Sequence, residues 1–170
     1  MTRWQWPFHR HATTPAATLG SALLAGLASG CATHPAAAPS QEANRRLVAE
    51  FVHVFYEERD VRGAFEQFVV PEYVQHNPNI PDGREAAIAA LTPLFSRKDV
   101  ELQVRNVIVD GDFAVVLIAA RDPSTPRGSA VADIFRLSNG RIVEHWDILQ
   151  GVPEHAVNPH PLFTDAAAGR

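Results

Sequence analysis

Hydrophobic positions change their spacing once along this chain, near Lys98. Before it they recur at helical intervals. Leu47, Val48, Phe51, Val52 and Phe55 form one stripe within Asn44 to Glu58, and Val61, Ala64, Phe65 and Phe68 form a shorter one. Pro71 interrupts, and Tyr73 to Pro81 (YVQHNPNIP) reads as a loop or short strand punctuated by proline. Asp82 looks like an N-cap with Glu85 three residues on, and Ile88, Leu91 and Phe95 give a third helix its buried face. After Lys98 the period becomes two. Val100, Leu102 and Val104 alternate with polar residues, and Val107 to Val109 follow. Asp110-Gly111 signals a turn into an apolar strand, Phe113 to Ala120. Arg121 to Arg127 reads as a loop. Ala130 to Leu137 and Arg141 to Gln150 read as two strands joined through Ser138-Asn139-Gly140, and from Pro153 onward the chain is expected to wrap the surface. Three helices followed by four strands in hairpins predict an α+β domain, a cone-shaped barrel whose helices pack on one face of a curved antiparallel sheet and enclose a pocket.

The first 40 residues are a different material. Arg3 and Arg10 precede a small-residue apolar stretch, Ala16 to Gly30, with no acidic residue. A basic start, a short apolar run and small residues describe an export signal, too short and too rich in Gly and Ala for a membrane span. Cys31, the only cysteine, follows Leu27-Ala28-Ser29-Gly30 and sits where a bacterial lipoprotein signal carries its lipidated residue, although Ala28 stands where such signals usually hold a large aliphatic. The bland alternative is an ordinary secretory signal. The expected organisation is a signal over 1–30, an Ala/Pro-rich tether over 31–43, a domain over 44–163 and a tail over 164–170. Such a protein would sit in the periplasm or cell envelope, held to the membrane by lipid at Cys31. With 170 residues, 46% hydrophobic, the chain suits one core, and a net charge of −4 without a basic run argues against nucleic acid as a partner.

The stretch RIVEHWDILQ, 141–150, places Glu144, His145 and Asp147 around Trp146 in a strand. What these residues face depends on the turn. A two-residue Asn139-Gly140 loop pairs Ser138 with Arg141, sets Ile134 opposite His145 and leaves Asp133 on the other face. A three-residue loop pairs Leu137 with Arg141, sets Asp133 opposite His145 and puts Asp147 on their face. Apolar counting slightly favours the first register.

The run Tyr73-Val-Gln-His76-Asn77-Pro78, then Asp82-Gly83, Asp133-Ile-Phe135-Arg136 and Gly140-Arg-Ile-Val-Glu144-His145-Trp146-Asp147 resembles the SnoaL-like proteins. These belong with nuclear transport factor 2, ketosteroid isomerase and the polyketide cyclases, and the nearest resemblance is to a bacterial branch of predicted aldol-condensation enzymes. It covers about residues 44 to 163 and is specific for fold rather than substrate, because this fold serves enzymes and binding modules alike. The resemblance implies that Asp147 matches the general acid/base of the cyclases. It implies that Asp133 matches the isomerase's oxyanion-hole aspartate, and that His76 falls where the isomerase keeps its carboxylate base. Val52 stands at the position of the isomerase's helix tyrosine, with Tyr56 one turn on. These matches favour the three-residue loop.

The expected chemistry is removal of a proton beside a carbonyl, which needs a base near neutral pKa and a donor for the enolate oxygen. Asp147, Asp133, His76 and His145 are the catalytic candidates, Tyr56, Tyr73 and Phe135 the substrate-binding ones. No metal or organic cofactor is required. The competing reading is a tethered pocket that binds a small apolar ligand without chemistry. A third is a divalent-metal site from His76, His145 and Asp133 or Asp147, which no local ligand spacing supports. A homodimer through the exposed sheet face is expected.

Overall fold

The computed structural model describes residues 40–162. The first helix, α1 (Gln41–Val52), begins before the predicted stripe, inside the segment read as tether, with Ser40 as N-cap accepting from the Ala43 N–H. It runs into a π-helical turn, His53–Glu57, closed by the Glu58 N–H on the His53 carbonyl. The wider turn keeps Phe51, Val52, Phe55 and Tyr56 all buried. Two short segments follow, α2 (Val61–Phe68), capped by Asp60, and β1 (Val69–Gln75). The third helix is α3 (Arg84–Phe95). The sheet is completed by β2 (Glu101–Asp110), β3 (Phe113–Asp122), β4 (Thr125–Ser138) and β5 (Arg141–Gly151).

The three helices pack against one open five-stranded sheet of order β1-β5-β4-β3-β2. The sheet is mixed rather than wholly antiparallel, because β1 runs parallel to β5. The expectation of four strands missed β1, whose ladder is broken between Val69 and Val74, where Pro71 sits without an N–H to give. Asp82 is not the N-cap of α3. That place belongs to Gly83 at φ 97°, while the Asp82 carboxylate accepts from the Gln75 N–H at 2.8 Å. The Gly83 N–H reaches back to the Tyr73 carbonyl at 2.7 Å, so the 76–83 loop closes onto the end of β1. The expected Arg121–Arg127 loop is a tight turn between β3 and β4. Asp122 accepts there from the Ser124 hydroxyl and from both the N–H and hydroxyl of Thr125, which draws its pKa down to about 2. Residues 153–162 are exposed throughout.

The β4–β5 hairpin decides which side chains face the helices. Asn139 (φ 50°) and Gly140 (φ 71°) are both left-handed, and Ser138 pairs with Arg141, as in a two-residue type I′ turn. Two residues on, the register slips: Leu137 pairs with Ile142 but Arg136 pairs with Glu144, so Val143 is the extra residue of a β-bulge. Beyond it Phe135 lies opposite His145, and Asp133 opposite Asp147. Neither register read from the sequence is the observed one. The turn is the two-residue form, while the facing of Asp133, His145 and Asp147 is that of the three-residue form. One bulged residue reconciles them, since each single-residue slip exchanges the faces.

The core lies between the helices and this inner sheet face. Phe51 is fully buried, stacked on Phe55 at 5.2 Å and edge-on to Phe135 at 5.2 Å, with Phe65 and Phe68 also against it. Asn44 is one of two buried polar residues among the described residues, and its amide donates to the Gly111 carbonyl at 2.8 Å, fixing the start of α1 to the β2–β3 turn.

Candidate functional site

A cavity of about 400 Å³ lies between the helices and the inner face of the sheet. Its walls are mainly apolar: Phe55, Phe65 and Phe95 on one side, with Leu91 and Leu94 of α3, and Leu102, Ile118 and Val131 from the sheet. Against these stands one polar group of Asp133, His145, Asp147, Gln75 and Asn77. Among the described residues, no Lys or Arg lines it.

Tyr56 is placed by the π turn. Its hydroxyl donates to Asp133 Oδ2 in a short hydrogen bond. Burial lifts the Tyr56 pKa well above the ordinary tyrosine value, and the adjacent Asp133 charge adds to this, so the hydroxyl remains a donor. The other carboxylate oxygen, Asp133 Oδ1, lies 3.4 Å from His145 Nε2. The imidazole is packed between Phe135, at 4.9 Å, and Tyr73, at 6.5 Å. Burial first, then Asp133 and Asp147, likewise raises the Tyr73 pKa. His145 Nδ1 meets Gln75 Oε1 at 2.8 Å.

Asp147 has a separate partner. Asn77 Nδ2 donates to Asp147 Oδ2 at 2.5 Å, while Asn77 Oδ1 accepts from the Asn79 N–H at 2.9 Å. The backbone contact settles the orientation of the Asn77 amide, which must present its NH₂ to the carboxylate. The inner face thus carries two carboxylates on a directly opposed cross-strand pair, a spacing of about 5 Å between Cβ atoms. One is tied to Tyr56 and His145, the other to the 76–83 loop.

Of the residues singled out from the sequence, Asp133, His145, Asp147, Tyr56, Tyr73 and Phe135 all line the cavity. His76 does not. It follows the inward-facing Gln75, so its side chain falls on the outer face, stacked on Trp146 at 4.6 Å with Nε2 2.8 Å from Glu144 Oε1. That placement also separates the three residues of the metal hypothesis, and no cluster of metal-binding side chains occurs among the described residues. Cys31 lies outside the described residues. Gln75 and Asn77 were missed. The signal was the period-two run Tyr73, Gln75, Asn77, which sends these three inward and His76 outward.

Comparison with known proteins places this geometry in a family. The SnoaL-like domain matches residues 48–145, more than half of the chain. Among solved structures, TsrD from Streptomyces laurentii is 27% identical at a TM-score of 0.52, covering 65% of this chain and 90% of its own. An NTF2-like protein from Mesorhizobium loti is 19% identical at a TM-score of 0.57, covering 69% and 98%. A putative polyketide cyclase from Acidithiobacillus ferrooxidans is 18% identical at 0.50, covering 63% and 87%. The comparison with curated proteins gave no match. The last two similarities carry the fold alone, and with the domain match they lead to one conclusion: the chain belongs to the SnoaL-like domain family and has the NTF2-like α+β fold.

Proposed function

We propose that the cavity is the active site of a cofactor-independent acid/base enzyme that enolises a small, neutral, partly apolar carbonyl compound, as a cyclase, isomerase or aldol-type catalyst does. The observation that carries this reading is the opposed pair Asp133 and Asp147, each with its own hydrogen-bond partners, at the wall of an apolar cavity. In this scheme Asp147, oriented by Asn77, takes the proton from the carbon beside the carbonyl. The C–H electron pair moves into the new C=C bond, and the carbonyl oxygen receives a proton from the Asp133–His145 pair, with Tyr56 holding Asp133 in place. An anionic substrate is disfavoured, because no Lys or Arg among the described residues lines the cavity to meet a carboxylate or phosphate.

The test is hydrogen–deuterium exchange into 2-tetralone and acetylacetone in D₂O, followed by proton NMR. The expected result is exchange above the buffer rate that falls by about 100-fold or more in Asp147→Asn, while binding of the ketone changes little. Binding without exchange in the wild type would leave the second reading, a non-catalytic pocket for a small apolar ligand. That reading draws on the fact that both carboxylates already have protein partners.

Two features of the setting belong to the proposal. The domain works outside the cytoplasm, in the periplasm or cell envelope, anchored by lipid on Cys31. Labelling of the producing cells with a clickable fatty acid should mark the wild type and not Cys31→Ser. Two copies associate through the outer sheet face, where Ile108, Phe113 and Ile148 are 51%, 43% and 62% exposed around the half-buried Ile134 and Trp146. Light scattering at micromolar concentration should give a dimer; a monomer would count against this.

A further inference from the structure

We infer that Gln75 is a positioning residue that fixes which ring nitrogen of His145 permanently carries a hydrogen, and so aims the exchangeable nitrogen, Nε2, at Asp133. Gln75 Oε1 receives the backbone N–H of Asn77 at 3.0 Å. A backbone N–H can only donate, so the amide must present its oxygen there and not its NH₂. The same Oε1 stands 2.8 Å from His145 Nδ1. An amide oxygen can only accept, so Nδ1 must bear a hydrogen whether the ring is neutral or charged.

The backbone makes this arrangement rigid. Gln75 and His145 are register partners on the parallel strands β1 and β5, the His76 N–H donates to the His145 carbonyl at 2.9 Å, and the Gln75 N–H is held by Asp82. Phe135 and Tyr73 flank the imidazole. An Nδ1–H ring leaves Nε2 as the only nitrogen that gains or loses a proton.

The consequence falls on Asp133. Nε2 of a neutral ring offers a lone pair to Asp133 Oδ1, 3.4 Å away, and an ionised carboxylate offers another. Two lone pairs face to face repel. A hydrogen on either atom relieves that repulsion, while Tyr56 occupies Oδ2. Only this functional consequence, a His145–Asp133 pair that serves as proton donor to a substrate oxygen, rests on the proposed enzymatic reading. The tautomer itself does not.

The test is a long-range proton–nitrogen correlation spectrum of the ¹⁵N-labelled full chain without ligand, with the His145 signals assigned by their loss in His145→Gln. The expected wild-type pattern is a hydrogen-bearing Nδ1 at every pH, with any titration at Nε2. In Gln75→Leu the ring should shift toward the form with hydrogen on Nε2, whereas Gln75→Glu, which keeps an acceptor oxygen, should restore hydrogen on Nδ1. A neutral wild-type ring with bare Nδ1 overturns the inference, as does an unchanged pattern in a folded Gln75→Leu. If that variant does not fold, the wild-type and Gln75→Glu spectra still decide. If ketone exchange is observed, Gln75→Leu should lower kcat roughly tenfold or more with little change in KM, since a wrongly placed hydrogen leaves the ring in position but unable to act. An absence of exchange with the expected tautomer would sink the enzymatic reading and leave the inference standing. Exchange with the opposite tautomer would do the reverse.

Discussion

Glu144 and His145 are neighbours in the chain and look in opposite directions. Each side of the strand then carries one histidine beside one carboxylate. Outside, His76 meets Glu144 at 2.8 Å; inside, His145 meets Asp133 at 3.4 Å. The outer contact is the shorter, yet it is the less consequential. Arg136 adds a full positive charge to Glu144 at 2.5 Å, and His76 is 41% exposed. That cluster is a solvent-screened surface ion pair, worth about 0–1 kcal/mol. The inner pair has neutral partners, Tyr56 and Gln75, and no lining cation. Its side chains are 10% and 14% exposed, so its contacts are far less screened than those outside. The same two residue types give a surface brace on one face and a candidate proton donor on the other. The difference lies in what surrounds them.

The largest effect should come from the residue that supports the inner side. Phe135, 2% exposed, packs on both Phe51 and His145. Phe135→Ala should cost about 3–5 kcal/mol in a denaturant titration, whereas Arg136→Ala, its outward neighbour, should cost about 1 kcal/mol or less. Equal losses would erase the proposed contrast between the faces. Tyr56→Phe comes next. It keeps the ring in the core and removes only the donor to Asp133, so it should cost about 1–3 kcal/mol and disturb the His145 nitrogen shifts. Unchanged shifts would separate Tyr56 from the pair.

These contrasts also show what could be read from the sequence. The stripe from Leu47 to Phe55 led to α1, and the alternation after Lys98 led to β2 through β5, because burial on one face imposes a period. Two features broke the period and escaped. The apolar phase shifts between Val104 and Val107, and the structure has a bulge there, at Arg105. That slip was visible and went unread. The Val143 bulge was not visible, because Ile142 and Val143 are both apolar and either could face inward. The resemblance favoured the three-residue loop, with Asp133 and Asp147 on one face, while apolar counting slightly favoured the two-residue loop; the observed facing follows the first and the observed turn the second, and only the bulge makes them compatible. The period-two run Tyr73, Gln75, Asn77 carried the inward aim of Gln75 and Asn77 and the outward aim of His76, but which sheet that run joins is set by β1 pairing with β5 in parallel, a long-range contact.

A smaller effect should appear at acid pH. The His76 hydrogen bond first, and Arg136 with it, hold the Glu144 carboxyl below its ordinary pKa. A carboxyl whose folded pKa is depressed adds stability above its unfolded value, about 4.3, and loses that contribution as pH falls through the lower folded value. Stability curves of wild type and Glu144→Gln should therefore be separated at neutral pH and converge in acid. Ketone exchange, if present, should not distinguish the two proteins, since Glu144 lies on the outer face. A Glu144→Gln variant that lost exchange would tie the outer cluster to the site.

The smallest change to the inner pair is expected where intuition suggests the largest, at the deletion of Val143. Removing one residue from a strand normally exchanges its faces. Here Val143 is the residue without a cross-strand partner, between the Leu137–Ile142 and Arg136–Glu144 pairs. Its deletion leaves a regular ladder from the Asn139-Gly140 turn onward, with Ile142, His145 and Asp147 still facing inward. The cost should be lost local twist, about 1 kcal/mol, and the His145 nitrogen pattern should persist. Insertion of one alanine after Val143 is the opposing control. It leaves three residues between Ile142 and His145, so a regular ladder still faces His145 and Asp147 inward but sets His145, not Asp147, opposite Asp133. If the deletion abolished the His145 signature in a protein that still folds, the observed facing would depend on more than the register that the bulge sets.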